Sequence, residues 1–86
     1  MRLIELNPYT TKKGLFIHSF NEVWSDLVGL GALLPIGTTV YLDQVLEDGT
    51  AIFHIPNHVT EKGNPCYIKV WEEYYDELIG EVDDET

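Results

Sequence analysis

The apolar positions in the first part of the chain form short runs that are separated by turn residues. The run from Leu3 to Leu6 ends at Asn7-Pro8. The run from Leu15 to His18 follows a polar stretch with a turn at residues 12–14. We therefore predict two short strands here, paired with each other.

After the second run the pattern changes to helical spacing. Ser19 and Glu22 are spaced as in a capping box, in which a serine hydroxyl and a glutamate carboxylate cap the first turn of a helix. Four apolar residues then recur at helical intervals: Phe20, Val23, Trp24 and Leu27. We predict a helix over residues 20–28, with Gly29 and Gly31 at its C-terminal end.

The middle of the chain has the strongest strand pattern. Residues 38–46 are rich in β-branched and aromatic side chains, which favours a strand. Asp48-Gly49 is typical of a tight hairpin turn, and residues 51–55 form the predicted return strand, which Pro56 ends. A polar loop over residues 57–65 leads to a further predicted strand, Cys66 to Val70.

The C-terminal part of the chain has the spacing of an amphipathic helix. Its apolar residues fall at i, i+3, i+4, i+7 and i+8: Trp71, Tyr74, Tyr75, Leu78 and Ile79. Acidic residues occupy the opposite face, and Gly80 is the predicted end. We expect Trp71, Tyr74 and Leu78 to share one core with Phe53.

These elements predict an α+β domain in the order β-β-α-β-β-β-α. It would hold a small antiparallel sheet or partly open barrel of about five short strands, one helix after the first hairpin, and an acidic amphipathic C-terminal helix. We expect one globular domain over residues 1–80 and a frayed acidic tail over residues 81–86. The pattern Ile36-Gly37-Thr38, Asp48-Gly49 and Phe53 resembles the strand–hairpin–strand centre of small SH3-like barrels.

Charge is concentrated at one end of the chain. Residues 72–86 hold eight of the fifteen carboxylates and no basic residue, whereas residues 1–71 carry seven acidic and five basic residues. The net charge of −10 makes direct binding to nucleic acid or to an anionic membrane unfavourable, and it favours a basic protein as partner. The single cysteine excludes an intramolecular disulfide, which fits the cytoplasm.

The acidic C-terminal end of the chain is the predicted partner-binding site. A fifteen-residue helix spans roughly 22 Å, so eight carboxylates would lie about 2.8 Å apart along its axis, close to the ~3.4 Å per charge of one DNA strand. In this the chain resembles the small acidic DNA-mimic inhibitors of phages and mobile elements. That resemblance implies a nucleic-acid-binding protein as partner. The predicted partner-binding residues are Glu72, Glu73, Asp76, Glu77, Glu81, Asp83 and Asp84.

Two alternatives remain open for this end of the chain. The acidic face can be a solvated surface that confers solubility, because charged helix faces are commonly exposed to water. The chain would then be a structural or assembly module that uses hairpin edges and exposed aromatic residues. The aromatic residues Trp24, Trp71, Tyr74 and Tyr75 could also form a stacking platform, but their spacing favours the core.

The residues that could carry chemistry are few. His18, His54, His58 and Cys66 are ligand types for a metal, but Pro56 prevents His54 and His58 from sharing a helix face. Cys66 lies in a predicted strand, where a buried thiol is expected rather than a nucleophile. We therefore expect a protein that is not an enzyme, with no catalytic residue, metal or cofactor.

Overall fold

The computed structural model describes residues 2–20 and 27–82, and within them one antiparallel sheet dominates. Its seven strands are β1 (Pro8–Thr11), β2 (Leu15–Phe20), β3 (Leu27–Leu34), β4 (Thr39–Val45), β5 (Ala51–Val59), β6 (Pro65–Val70) and β7 (Ile79–Glu81). A 3₁₀ turn (Glu72–Tyr74) leads directly into a single helical turn, α1 (Tyr75–Leu78). None of the helical segments in the described part of the chain is long and apolar enough to span a membrane.

The sheet curls on itself. Its strand order is β3-β2-β6-β5-β4-β1-β7. Although β3 and β1 are far apart in this order, the Thr11 hydroxyl of β1 donates to the carbonyl oxygen of Pro35, directly after β3, at 2.8 Å. The same hydroxyl oxygen accepts a hydrogen bond from the Thr38 amide at 3.0 Å. The inner face of the sheet therefore wraps around one core.

The core follows the period of two that a half-buried strand requires. In β6, Cys66, Ile68 and Val70 are buried, whereas Tyr67 and Lys69 between them lie on the outer face. One apolar cluster fills the interior: Tyr9, Ile17, Leu34, Val40, Leu42, Ala51, Phe53, Ile55, Cys66, Ile68, Val70, Tyr75 and Ile79. The rings of Tyr9 and Phe53 meet edge to face at 5.6 Å between centroids, a favoured aromatic geometry.

The predicted α+β class is wrong, and the helix over residues 20–28 is one reason. Phe20 ends β2 and Leu27 begins β3, so both ends of that prediction are strand; residues 21–26 lie outside the described part. Gly29 pairs with His18 inside the sheet instead of ending a helix. Gly31, at φ 72°, lies where the register between β2 and β3 shifts, so it forms part of a β-bulge.

The predicted first strand is also misplaced. Leu6 has a φ of 67°, and the Asn7 amide donates to the Ile4 carbonyl at 3.2 Å, so this stretch turns instead of extending. The strand is β1, directly after it. A proline is tolerated as the first residue of this strand, because it has no amide hydrogen to donate and needs none here. Pro8 pairs only with Tyr41 of β4 and has no partner on β7.

The predicted long C-terminal helix is replaced by the 3₁₀ turn, α1 and β7. No side chain caps either helical segment, and neither has a basic residue in its last turn. Like charges at i, i+4 and anions at a helix C-terminus would weaken a longer helix. Ile79–Glu81 instead gains ladder hydrogen bonds to β1.

The core grouping predicted from the helical period is accordingly wrong in part. Trp71 is 53% exposed and Tyr74 is 40% exposed, so neither lies in the core with Phe53. Leu78 packs against the core from its edge, while Tyr75 and Ile79 belong to it.

The strands predicted for the middle of the chain are confirmed. β4, β6 and the hairpin at Asp48-Gly49 are present. The Gly49 amide donates to the Leu46 carbonyl, Gly49 has a φ of 90°, and the Asp48 carboxylate accepts from the Thr50 amide at 2.8 Å. β5 differs only in its end, because it continues through Pro56 to Val59 with a shift of register.

Candidate functional site

The acidic segment, residues 72–81, contains five exposed carboxylates: Glu72, Glu73, Asp76, Glu77 and Glu81. They lie on three kinds of backbone: the 3₁₀ turn, α1 and β7. The regular spacing along one helix axis, on which the comparison with a DNA strand depended, is therefore absent from this segment. The predicted residues Asp83 and Asp84 lie outside the described part of the chain.

The turn between β4 and β5 holds the acidic segment in place. The Tyr75 hydroxyl donates to the Gly49 carbonyl oxygen. The Glu72 side chain packs against Gly49 so closely that a methyl group there would collide with its carboxylate. Burial raises the pKa of Tyr75, and the carboxylates of Glu72 and Asp48 raise it further. The segment is thus fixed to the sheet by a neutral tyrosine.

Two lysines from the turn between β1 and β2 contact the other side of the acidic segment. The Lys12 ammonium donates to the Asp76 carbonyl oxygen at 2.6 Å, and the Lys13 ammonium pairs with the Glu77 carboxylate at 2.9 Å. The hydrogen bond and the charge of Lys13 lower the pKa of Glu77. This contact was not evident from the sequence, because the lysines and the acidic residues are 64 positions apart.

An aromatic groove lies beside the acidic segment and has a volume of about 460 Å³. Its lining residues are Gly14, Leu15, Phe16, His18, Lys69, Trp71, Tyr74, Glu77 and Leu78. Phe16 is 60% exposed, so three large aromatic side chains of the groove face solvent. The rings of Trp71 and Tyr74 meet at 6.4 Å between centroids, and the Lys69 ammonium lies 5.9 Å from the Trp71 ring centroid.

The groove follows from the outward positions of two strands. Phe16 in β2 lies between the partly buried Leu15 and the buried Ile17, and Lys69 in β6 lies between two buried residues, so both point away from the core. Trp71 continues from β6 with extended backbone angles, φ −72° and ψ 148°, which keeps it on the surface. The helical spacing of the sequence concealed this groove, since it assigned Trp71 and Tyr74 to the interior.

The candidate metal ligands do not converge. Ile55 pairs with Cys66 and His54 pairs with Tyr67, so Cys66 faces the core while His54 lies on the outer face. Burial raises the pKa of the Cys66 thiol, as expected for a buried strand residue. Within residues 2–20 and 27–82, no three His, Cys, Asp or Glu side chains are grouped closely enough to hold a metal ion.

The outer face carries a row of rings instead. His18, Tyr67, His54 and Tyr41 are successive cross-strand partners on β2, β6, β5 and β4. The rings of His54 and Tyr67 lie 5.8 Å apart. Burial lowers the pKa of His18, while its contact with the Phe16 carbonyl opposes that shift. His18 also lines the aromatic groove, so the row ends at that groove.

The chain matches no protein-family model, no curated protein and no solved structure. The site is therefore defined by its own geometry: an acidic segment next to an exposed aromatic groove.

Proposed function

We propose that the chain is a small, non-enzymatic binding protein that recognises a basic surface on another protein. The observation that carries this proposal is the exposure of Trp71 and Tyr74 within residues 71–77. Four exposed carboxylates lie in the same stretch. Tryptophan and tyrosine are enriched at the centres of protein interfaces, where they supply most of the binding energy. Carboxylates around them steer a basic partner and select against acidic ones.

The partner class follows from charge. Proteins that bind nucleic acid carry dense basic surfaces, so we propose them as the first class of partner. The chain would then act as an inhibitor or modulator that occupies such a surface. We place this activity in the cytoplasm, because the single cysteine is a buried thiol and cannot form an intramolecular disulfide.

The test removes charge and keeps side-chain shape. In one variant Glu72, Glu73 and Glu77 become Gln and Asp76 becomes Asn. A matched control neutralises four exposed acids outside the acidic segment: Glu5, Asp43, Glu47 and Glu61. A protein captured from lysate on the immobilised chain and purified should bind the first variant more than about tenfold more weakly, mainly through a slower association rate. Equal binding by both variants would contradict the proposal.

One observation favours a second function, an assembly module formed by two copies of the chain. β3 is the last strand at one end of the sheet, and in the described residues no strand pairs with its outer edge. Leu30 and Leu33 of this strand are exposed, and residues 27–42 contain no charged side chain. An apolar edge of this kind is a template for pairing with a further strand.

Salt distinguishes the two functions. Binding to a basic partner should weaken as salt rises, whereas two copies that each carry −10 repel less in high salt and should associate more. Sedimentation velocity at low and high salt measures self-association directly. Leu33→Lys should keep the chain monomeric. Val59→Lys, at the exposed last residue of β5, is the control and should leave self-association unchanged. A monomer at every salt concentration would exclude the assembly function.

A further inference from the structure

The aromatic groove already holds cationic groups from its own chain. The Lys69 ammonium lies over the Trp71 ring at 5.9 Å from the centroid, within the range of a cation–π contact. The Lys13 ammonium pairs with Glu77, whose side chain lines the same groove. An aromatic face and a carboxylate thus lie together, and each is in contact with a positive charge.

The geometry points to an anchor site for an arginine side chain of the partner. We propose that the guanidinium group enters the aromatic groove, stacks on the Trp71 ring with the Tyr74 ring, inclined at 63°, against its edge, and donates hydrogen bonds to the Glu77 carboxylate. This inference rests on the proposed function and names the group that the surface selects. Arginine fits better than lysine because its planar guanidinium both stacks on a ring and pairs with a carboxylate through two donors.

The two lysines are competitors that the partner displaces. The side chains of Lys13 and Glu77 are both more than half exposed, and ion pairs in that setting are weak. Lys69 makes a single cation–π contact, which a stacked guanidinium can replace. The net charge of −10, which already counts both lysines, attracts a further cation to this surface.

Fluorescence anisotropy of labelled pentapeptides tests the anchor. The probe is Gly-Arg-Gly-Arg-Gly-amide with a fluorophore on its N-terminus, and its matched controls carry lysine or the neutral isostere citrulline instead of arginine. We expect the arginine peptide to bind at least about fivefold more tightly than the lysine peptide, and the citrulline peptide to bind most weakly. Equal affinity for arginine and lysine would overturn the arginine anchor.

Charge-matched variants locate the contact. Glu77→Gln should weaken binding by more than about fivefold, while Glu61→Gln, the same charge change in the turn between β5 and β6, should change it less than about twofold. Lys69→Gln should strengthen binding relative to Lys62→Gln, because only Lys69 competes for the ring. Unequal effects in these directions support the site, and equal effects within each pair overturn it.

Trp71→Leu separates this inference from the proposed function. Trp71 is half exposed, so the variant should fold while losing the ring for stacking. If arginine selectivity is lost but the captured partner still discriminates the fourfold acidic variant from its control, recognition of a basic surface stands and the anchor is confirmed. If arginine selectivity survives in Trp71→Leu, the anchor lies elsewhere and the inference fails. Failure of the capture experiment alone would overturn the proposed function.

Discussion

At the scale of single residues, Phe53 lies in the core and Trp71 lies at the surface. Phe53 is fully buried in the apolar cluster, whereas Trp71 contacts Tyr74 and Lys69 at the surface. We predict that Phe53→Ala lowers the free energy of unfolding by about 3–5 kcal/mol, because it leaves a cavity. Trp71→Ala should lower it by less than about 1 kcal/mol, in the range of surface changes. Urea denaturation measures both, and equal losses would show that Trp71 is a core residue.

A second prediction at this scale concerns Tyr75 and alkaline pH. The folded state raises the pKa of Tyr75 above its unfolded value of about 10, so the stabilisation is complete below about pH 10 and is lost as pH rises through the folded pKa. Cys66 and Tyr67, whose pKa values are also raised, add to the loss in the same direction.

Tyr75→Phe isolates the contribution of the hydroxyl. At neutral pH this variant should be less stable by about 1 kcal/mol, because the hydrogen bond to the Gly49 carbonyl is lost. The difference from the wild type should shrink above about pH 10. Thermal denaturation across pH checks both parts, and a constant difference at every pH would contradict this role of the Tyr75 hydroxyl.

At the scale of elements, the β4–β5 turn positions the acidic segment, and two glycines test this. Gly49 and Gly63 have φ values of 90° and 85°, so alanine is strained at either position. Only at Gly49 would the added methyl group meet a neighbour, the Glu72 side chain, whereas Gly63 faces open space. We predict that Gly49→Ala costs more than about 1 kcal/mol and exceeds the cost of Gly63→Ala. Chemical denaturation of both variants provides the comparison.

Some strands could be predicted from the sequence, whereas other elements could not. β4 and β6 were predictable because their alternation and turn chemistry agree with their long-range partners. The helix predicted over residues 20–28 was wrong, because a capping-box pattern and apolar residues at helical spacing occur where β2 ends and β3 begins. Local spacing cannot reveal that a strand partner such as Tyr67 for His18 is available.

The candidate site was likewise predictable only in part. The carboxylates were evident from composition, and five of the seven predicted residues are exposed in the described part of the chain. The aromatic groove was not predictable, because it forms where β2, β6 and the acidic segment meet, and the core prediction for Trp71 and Tyr74 concealed it. Lys12 and Lys13 reach the acidic segment only through the fold.

At the scale of the whole molecule, charge and shape act together. A net charge of −10 would steer any basic protein towards the chain, and such steering alone has little specificity. The groove supplies the specific part, because exposed rings beside carboxylates distinguish one cationic side chain from another. Binding should therefore have a salt-dependent association rate and a dissociation rate that depends on Trp71, Tyr74 and Glu77.

The most direct test is a map of backbone amide chemical shifts while the arginine pentapeptide is added to the intact chain. We predict that the largest changes fall in residues 14–18 and 69–78, the two stretches that contain the groove-lining residues, and that rising salt reduces them. Changes centred on the β5–β6 turn at residues 60–64, or spread evenly over the exposed acids, would contradict it.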